Sequence, residues 1–600
     1  MTKKTYEIIE EINEEARKDL NGYSDLVSKL LFHRGIKTNE ESAKFIEADY
    51  ESDLHDPFLM KDLEKAATRI LEAIEKNQKI CIYSDYDADG VPGAVVLHDF
   101  FKKLGFKNFF VYIPHRNLEG FGLNNDAIKE IAEKETKLII TIDCGIADLE
   151  QIEFATEQGI ETIVTDHHEA AHGIPNAYAV VDPMRDDCDY PYKYLCGAGV
   201  IFKVVQGMIK KIENDPQLAK KFNLKPGTEK WLLDMVGVAT LSDMVPLTGE
   251  NRIFAKYGLI VLRKSPRKGL MKLISKGFAK QSALIEEDVV FSITPKINAA
   301  SRMGNPDTAF QMLSTTDDIE ANETVAHLEK INQERKGVVS GMAKEINKFV
   351  EENLMEHDEL KVPVIVKGNP KWSPSLLGLA ASSVVDKYNC PVFLWGRGEG
   401  DELKGSCRSD GSVSVVSVMQ NLPDGILATF GGHFMAGGFV LNFEKVEQLE
   451  DAIVDSYQKS KKGETNLFHK ILDAKLQIGD LNFTLYNDIQ KLAPFGIGNP
   501  KPIFIFENVP IEKFEYFGKE KNHGKFIFKK EAANSNGNSG NFGGNNSNGE
   551  TIEAIKFFMH KNSTAPEPEF KSGDKITFSA GLEKSTYGRG GLRLKIEDIY

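Results

Sequence analysis

Short apolar segments alternate with amphipathic stretches between residues 56 and 255. Five of these segments are rich in β-branched or aromatic residues, and most end in polar residues: KICIYSD, NFFVYIP, KLIITIDCG, ETIVTDHH and YAVVDP. Apolar segments separated by helical patterns predict a parallel sheet with crossover helices. Ligands of such sheets bind at the carboxyl ends of the strands. We therefore expect the chemistry of this part of the chain at one edge of an α/β sheet.

The rest of the pattern predicts four further parts. Residues 1–55 are predicted to be a polar, helical lead-in, and residues 256–355 a helical region that ends in a long connecting helix. Residues 356–460 contain VPVIVKG and CPVFLWG and predict a second α/β unit. Short strands with turns over 468–600 predict a small β-barrel. Within it, residues 534–549 are Asn, Gly and Ser with one Phe, which predicts a flexible insertion.

Composition and charge argue against several classes of protein. Six scattered cysteines without a C-x-x-C pair argue against a disulfide framework or zinc knuckle and favour a reducing cytoplasm. No run of 18 apolar residues exists, and the charged N-terminal sequence lacks the apolar core of a signal peptide, so we expect no membrane association. The net charge of −15 argues against nucleic acid as a partner, although phosphate binding needs positive charge only at the contact surface.

The sequence DYDADG follows the first of the apolar segments. An extended chain would direct Asp85, Asp87 and Asp89 to one face, where their charges would repel one another. A hard divalent cation such as Mg²⁺ or Mn²⁺ relieves that repulsion. The alternative is an aspartate-rich turn that caps the helix beginning near Val91. An EF-hand loop is excluded, because Val96 stands where that loop needs glutamate.

Three more polar clusters follow along the chain: Asp143 after LIITI, Asp166-His167-His168 after ETIVT, and Asp243 after a helical pattern. Each alone could be a helix cap or a surface turn. Strand ends of one parallel sheet converge in space, however, so the clusters are expected to meet. Together they supply six or seven oxygen and nitrogen ligands, enough for two cations that share a carboxylate.

These motifs carry a family resemblance. DYDADG, IDCG, DHH and SDMVPL, in this order, resemble the four motifs of the DHH phosphoesterase superfamily. Six further stretches are similar to the single-strand-specific exonucleases of that superfamily: PHRNLEGFGL, GAGV, PKINAASRMG, KGSCRS, GGHFMAGG and PFGIGNPKPIF. The resemblance runs from about residue 30 to the C-terminus. It implies a DHH domain over 56–255, a DHHA1-like domain over 356–460 and an OB-fold domain over 468–600.

The resemblance also implies roles for individual residues. The metal ligands would be Asp87, Asp89, His167, Asp243 and a bridging Asp143, with Asp85 as an auxiliary carboxylate. His168 would face the scissile phosphate, so that Asp143 and His168 are the implied catalytic residues. The cofactors would be two Mn²⁺ or Mg²⁺ ions.

Residues that contact the strand are implied in the same way. Those assigned to the 5′ end are Arg302, Ser406 and Arg408, while Arg116 and the stacking aromatic Phe121 would line the path of the strand. The GGHFMAGG stretch adds Gly431, Gly432 and His433. The sequence departs from the family pattern at Tyr83, where His is frequent, at Ser373, where many members have His, and at Ser301 and Cys407, where Gly is usual.

The implied function is a two-metal 5′→3′ exonuclease on single-stranded DNA in repair and recombination. It would be a cytoplasmic monomer that works with a helicase and a single-strand-binding protein. One alternative is a DHH phosphodiesterase acting on short oligonucleotides or cyclic dinucleotides. The stretch YFGKEKNHGKFIFKK in the barrel argues against it, because lysines and aromatics suit a single-strand platform. A catalytically dead DNA-binding scaffold is disfavoured, since every metal carboxylate is present.

Overall fold

The computed structural model describes residues 5–277, 280–356, 359–398, 402–461, 469–518, 521–530, 551–559, 570–585 and 591–600. The chain divides into two compact units, Tyr50–Thr465 and a unit that joins Met1–Asp49 to Asn466–Tyr600. The predicted fold class is confirmed: two α/β parts, a long helix and a β-rich C-terminal part. Over the described ranges, no helix has the length and apolar character that crossing a bilayer requires. The predicted insertion 534–549 lies outside the described residues.

The first α/β part contains one sheet of five parallel strands. Their order is Phe109–Tyr112, Ile80–Ser84, Leu138–Ile142, Glu161–Thr165 and Ala179–Val181. Helices cover the sheet, and this explains why the central strands are apolar throughout rather than alternating. The helices of this part are Leu63–Glu75, Gly90–Lys103, Asn125–Glu133, Leu149–Glu157, Gly197–Asn214, Pro216–Phe222, Leu233–Ser242 and Gly249–Leu262.

Three aspartates stand at the same level along the carboxyl edge of this sheet. The backbone N–H of Asp85 donates to Ile142 O at 3.1 Å, and that of Asp143 donates to Thr165 O at 3.0 Å. The N–H of Asp166 donates to Val181 O at 3.1 Å. Each aspartate is thus still bonded to the end of the next strand, which brings the predicted clusters side by side.

Helices lead from the first α/β part to the second: Lys268–Gly277, Glu286–Asp288, Thr294–Arg302, Pro306–Ser314 and Asp318–Asn353. The last is the predicted connecting helix, and Asp317 caps its first turn through the N–H groups of Ile319 and Glu320. The second sheet runs in the order Leu427–Gly432, Ala436–Leu441, Leu403–Arg408, Val392–Arg397 and Ile365–Gly368. Its helices are Pro374–Tyr388, Val415–Gln420 and Leu449–Ser460, and a short pair, Met355–Glu356 and Glu359–Leu360, precedes it.

The β-rich unit has a seven-stranded sheet. Its order is Ala474–Lys475, Phe504–Pro510, Lys575–Lys584, Leu592–Ile599, Thr551–Lys556, His523–Lys529 and Lys513–Phe517. The helical lead-in belongs to this unit, with helices Glu14–Asp19, Asp25–Phe32 and Asn39–Glu47, and helix Phe483–Gln490 lies there too. The lead-in also contains a strand that the sequence did not predict, Thr5–Ile8, which pairs in parallel with His469–Leu472.

Candidate metal centre and basic cleft

The predicted metal ligands come together at the carboxyl edge of the first sheet. Three overlapping groups have ligand atoms within 4.8 Å of one another: Asp85 with Asp87 and Asp143, Asp89 with His167 and Asp243, and Asp143 with His167 and His168. Asp143 and His167 each belong to two groups. His167 Nε2 lies 3.1 Å from Asp143 Oδ1, 3.7 Å from Asp89 Oδ2 and 3.8 Å from Asp243 Oδ2. Asp243 reaches the centre from the end of helix Leu233–Ser242 and not from a strand.

Backbone N–H groups orient two of the carboxylates. Asp87 Oδ1 accepts hydrogen bonds from the N–H of Asp89 at 2.8 Å and from the N–H of Gly90 at 3.2 Å. These two bonds are those of the aspartate-rich, helix-capping turn that the sequence offered as the alternative. Asp89 accepts from Gly197 and Ala198 at 2.6 and 2.8 Å. Those two N–H groups begin the helix Gly197–Asn214, whose N-terminal dipole favours an anion.

The electrostatics of the centre suit a cation. Asp85, Asp89 and Asp143 are buried, and burial together with neighbouring aspartates raises the pKa of each carboxyl. Burial, followed by the charges of Asp89 and Asp87, raises the pKa of Asp243 to about 9. Within the described chain, Asp85 Oδ1, Asp143 Oδ1 and His167 Nε2 are buried without a hydrogen bond. Buried polar atoms are normally satisfied, so this donor set fits divalent cations.

His168 is held by Asp166, a residue to which the family resemblance assigned no role. Its Nδ1 lies 2.7 Å from Asp166 Oδ1, and the same buried carboxylate accepts from the N–H groups of His167 and Ile146 at 2.7 and 3.0 Å. Burial alone would lower the pKa of His168, but the hydrogen bond and charge of Asp166, with the charges of Asp243 and Asp89, outweigh it and raise that pKa to about 9. Asp166 therefore orients His168 and favours its protonated form.

A cleft of about 670 Å³ lies between the two α/β parts. Tyr86, which stands between Asp85 and Asp87 in the chain, belongs to its wall. Four lining side chains are basic and, among the described residues, none is acidic: Arg116, Lys371, Arg397 and Lys404. The lining of the cleft is thus basic in a protein of net charge −15, and Lys404 is paired with Glu402 at 3.0 Å.

Several residues predicted to bind the strand belong to this cleft or adjoin it. Arg116, Ser406 and Gly431 line it. Arg302 Nη1 donates at 2.6 Å to the carbonyl of Ser375, a lining residue, and Arg408 Nη1 donates to Ser406 Oγ at 3.2 Å. Gly432 ends the strand Leu427–Gly432, and His433 follows it in the exposed turn, where its N–H donates to Ala436 O at 2.8 Å.

The half-buried arginines near the cleft differ from two arginines elsewhere in the chain. Arg185 and Arg267 each pair with two aspartates. In the described structure, no carboxylate pairs with Arg116, Arg302 or Arg408 within 4 Å. Burial, and then the charges of Arg116 and Arg335, lower the pKa of Arg302 to about 10. Half-buried charges without counter-ions point to an anionic ligand.

Phe121 completes the surroundings of the metal centre. Its side chain is 51% exposed, and its ring centroid lies 5.6 Å from that of His168 in an edge-on arrangement. The Arg116 guanidinium lies over the Tyr86 ring at 4.8 Å. An exposed aromatic ring beside a metal centre offers a surface on which a base can stack.

Three family profiles match the chain. The DHH family N-terminal domain matches residues 79–227, the DHHA1 domain matches residues 361–459, and the RecJ OB domain matches residues 472–598. A similar curated protein is the single-stranded-DNA-specific exonuclease RecJ of Bacillus subtilis, 34% identical over 509 residues. That match covers 85% of this chain, and the chain spans 62% of the length of that relative.

Comparison with solved structures also indicates a RecJ-like fold. The structure of RecJ in complex with Mn²⁺ from Thermus thermophilus superposes with a TM-score of 0.76 at 24% identity, covering 99% of this chain and 79% of that one. A structure of exonuclease RecJ bound to manganese has a TM-score of 0.56 at 29% identity and covers 68% of this chain and 98% of that one.

Proposed function

We propose that the chain is a member of the RecJ family of DHH phosphoesterases and, on that premise, a 5′→3′ exonuclease of single-stranded DNA that uses two Mn²⁺ or Mg²⁺ ions. One observation carries the proposal. A cluster of buried, mutually repelling carboxylates adjoins a cleft that has basic side chains and no acidic one among the residues described. The carboxylate cluster suits cations, and the basic cleft suits a polyanion.

The proposed cation ligands are Asp87, Asp89, Asp143, His167 and Asp243, with Asp85 as an auxiliary carboxylate. Asp143 is the proposed bridging ligand, which its membership of two ligand groups supports. Two bound cations supply the activated water and the charge neutralisation that phosphodiester hydrolysis requires. The chain's own part is to hold these ligands rigidly, through the N–H groups that orient Asp87 and Asp89.

His168 is proposed to contact the scissile phosphate. Because Nδ1 is engaged with Asp166, Nε2 is the nitrogen that would donate to a phosphate oxygen. The hydrogen bond and charge of Asp166 raise the pKa of His168 and so favour the ring that carries this proton. The charge of the imidazolium would then strengthen its hydrogen bond to the anionic substrate.

The strand is proposed to lie in the cleft with its 5′ phosphate at Arg302, Ser406 and Arg408, and with Gly431, Gly432 and His433 further along. Guanidinium groups grip phosphate through paired hydrogen bonds, and the missing carboxylate partners of these arginines in the described structure support that role. Arg116 and Phe121 would guide the strand toward the metal centre. Stacking on Phe121 needs no particular base, so the proposed activity is independent of sequence.

We propose repair and recombination as the setting, with a helicase and a single-strand-binding protein as partners that unwind and present the strand. We also propose that the protein acts as a monomer. The six cysteines are all buried and unpaired, which supports a reducing cytoplasm as the location.

The test is hydrolysis with Mn²⁺ or Mg²⁺ of single strands labelled at the 5′ or the 3′ end, beside a blunt duplex. We expect mononucleotides to be released from the 5′ end of single strands only, and no reaction in EDTA. Rapid turnover of cyclic dinucleotides or dinucleotides with no attack on long strands would favour the small-substrate phosphodiesterase instead. Metal-independent cleavage would contradict both.

A further inference from the structure

The loop of residues 113–123 carries both proposed strand-path residues, Arg116 and Phe121. It connects the edge strand Phe109–Tyr112 to the helix Asn125–Glu133 and has no regular secondary structure. Leu118 and Phe121 on it are 66% and 51% exposed. An exposed irregular loop is ordinarily mobile, yet a stacking ring must be held at a fixed place to bind a base well.

Tyr83 holds the end of this loop from inside the protein. Its side chain is completely buried, and its hydroxyl donates to Gly122 O at 2.8 Å. The same hydroxyl accepts from Asn124 Nδ2 at 3.4 Å. The Tyr83 ring stacks on Tyr112, with centroids 5.3 Å apart and planes 14° apart. The hydroxyl thus bonds to the residue that directly follows Phe121.

Asp148 holds the next peptide. Its Oδ2 accepts from the N–H of Leu123 at 2.7 Å. The carboxylate lies so close to Gly122 that a Cβ there would come within 2.5 Å of it, and Gly122 has φ +80°. Glycine is therefore required at this point of the loop.

Glu119 ties the middle of the loop to its two ends. Oε1 accepts from the Tyr112 hydroxyl at 2.7 Å and from Asn124 Nδ2 at 3.1 Å, while Oε2 accepts from the N–H of His115 at 2.5 Å. The network is therefore continuous from the sheet, through Tyr83 and Tyr112, to both halves of the loop.

We propose that Tyr83 and Asp148 are positioning residues that fix Phe121 beside the metal centre and so set the affinity for the DNA strand. This inference rests on the proposed function. Tyr83 precedes Asp85 by two residues on the strand Ile80–Ser84, so one rigid strand positions both the metal ligands and the loop. The departure from the family pattern at position 83 thereby gains a physical account, since a phenol reaches the Gly122 carbonyl.

The first test is Tyr83→Phe, which removes the hydroxyl and keeps the ring. We expect the KM for a 5′-phosphorylated 20-nucleotide single strand to rise roughly 3- to 10-fold, as loss of one buried hydrogen bond implies, with kcat within about twofold. Amide hydrogen exchange of Gly122 and Leu123 should accelerate. Asp148→Ala should have the same effects, and Asp148→Asn should not, because its amide oxygen still accepts from Leu123 N–H.

A double-mutant cycle with Phe121→Ala distinguishes positioning from general destabilisation. If Tyr83 acts by holding Phe121, the Tyr83→Phe change should add little to KM once the Phe121 ring is absent. Tyr190→Phe is the matched control, because it also removes a buried hydroxyl, which donates to Glu250 at 2.7 Å, far along the chain from the loop. It should lower stability and leave KM unchanged.

Two results would overturn the inference: an unchanged KM in Tyr83→Phe despite faster exchange of the loop, or full additivity with Phe121→Ala. Failure of the proposed function is a separate outcome, recognised by a wild-type protein that does not hydrolyse single strands although its loop amides are protected.

Discussion

His167 Nε2 lies within 4 Å of carboxylate oxygens from three separate segments of the chain, and two of those carboxylates are buried. Without cations this arrangement opposes folding, because buried carboxylates that are close together cannot all ionise easily. As the proposed ligands of bound cations, the same groups would be neutralised, and binding to the folded state would add stability. We therefore expect metal content to change the free energy of unfolding.

Asp143→Ala tests this at one residue. We expect hydrolysis to fall by several orders of magnitude, since the proposed bridging ligand is lost. In EDTA the variant should unfold at a temperature equal to or above that of the wild type, because one buried, repelling carboxylate is gone. Added Mn²⁺ should raise the unfolding temperature of the wild type and much less that of the variant.

The control is Asp126→Ala, which removes an exposed aspartate that forms an ion pair with Lys129. It should behave as the wild type in all three measurements. An Asp143→Ala protein that turns over normally, or that gains the full Mn²⁺ stabilisation, would remove Asp143 from the proposed ligand set.

Arg408→Ala tests the proposed 5′-phosphate contact. Arg408 has a hydrogen bond to Ser406 Oγ and no carboxylate partner in the described structure, so a terminal phosphate is its proposed counter-ion. The variant should lose roughly 10- to 100-fold in kcat/KM on 5′-phosphorylated strands, a magnitude expected for a charge-assisted hydrogen bond. Strands with a 5′-hydroxyl should lose much less. Equal losses on the two substrates would show that Arg408 has another role.

The same residues show what a sequence can predict of a site. Asp85, Asp87, Asp89, Asp143 and the two histidines could be nominated because they follow apolar strands in short, polar motifs. The distances between these residues could not be predicted, because they depend on strand register. Asp166 was visible in the DHH motif, but its role depends on a side-chain orientation toward His168 that no spacing rule supplies.

At the scale of elements, the termini of two helices decide the geometry of the centre. Asp89 lies at the start of Gly90–Lys103 and receives two hydrogen bonds from the start of Gly197–Asn214. The close approach needs a residue without a side chain: a Cβ at Gly197 would lie 2.5 Å from Asp143 Cβ. Asp143 itself has φ +63°, a conformation with little freedom to move aside.

Gly197→Ala should therefore displace Asp143 and weaken Mn²⁺ binding by at least about tenfold, while the helix itself gains propensity. Gly199→Ala, two residues further on, is the matched control. Its Cβ would meet nothing nearer than Leu195 Cβ at 3.5 Å, an ordinary contact. Isothermal titration of Mn²⁺ into both variants checks this. Equal affinities would mean that the backbone yields and that Asp143 is not held as tightly as its geometry indicates.

Strands and helices were predicted correctly where their burial produces a regular pattern of apolar and polar residues. The five parallel strands are short apolar segments that end in polar residues, and the helix Asp318–Asn353 lies at the end of the region 256–355, where a long connecting helix was predicted. The strand Leu403–Arg408 was not predicted, because KGSCRS is polar and contains glycine. The strand Thr5–Ile8 was missed for another reason: its partner His469–Leu472 is very distant along the chain.

At the scale of the whole molecule, charge is distributed unevenly. The net charge is −15, yet the cleft of the larger unit has basic side chains. The lysines of the β-rich unit are less available than their sequence suggests: Lys525 pairs with Glu553 at 2.6 Å and Lys513 with Glu515 at 2.8 Å. Phe526 and Phe528, which the sequence offers for stacking, are buried in the core of that unit. Lys519 lies outside the described residues.

Truncation separates the contributions of the two units, and the structure determines where to cut. Leu20, Val27, Leu30 and Leu31 pack in the same core as strands from beyond residue 470. A chain of residues 1–460 would expose these apolar side chains, so we expect it to aggregate.

A chain of residues 50–465 keeps one compact unit with every proposed metal ligand. It should bind Mn²⁺ and hydrolyse short oligonucleotides. If the β-rich unit contacts phosphates, affinity for a 40-nucleotide strand should fall and its dependence on salt should flatten relative to the full chain. Fluorescence anisotropy over a salt series measures both quantities. Identical log–log slopes would show that the β-rich unit makes no phosphate contact. A soluble, monomeric 1–460 chain would contradict the assignment of the N-terminal helices to that core.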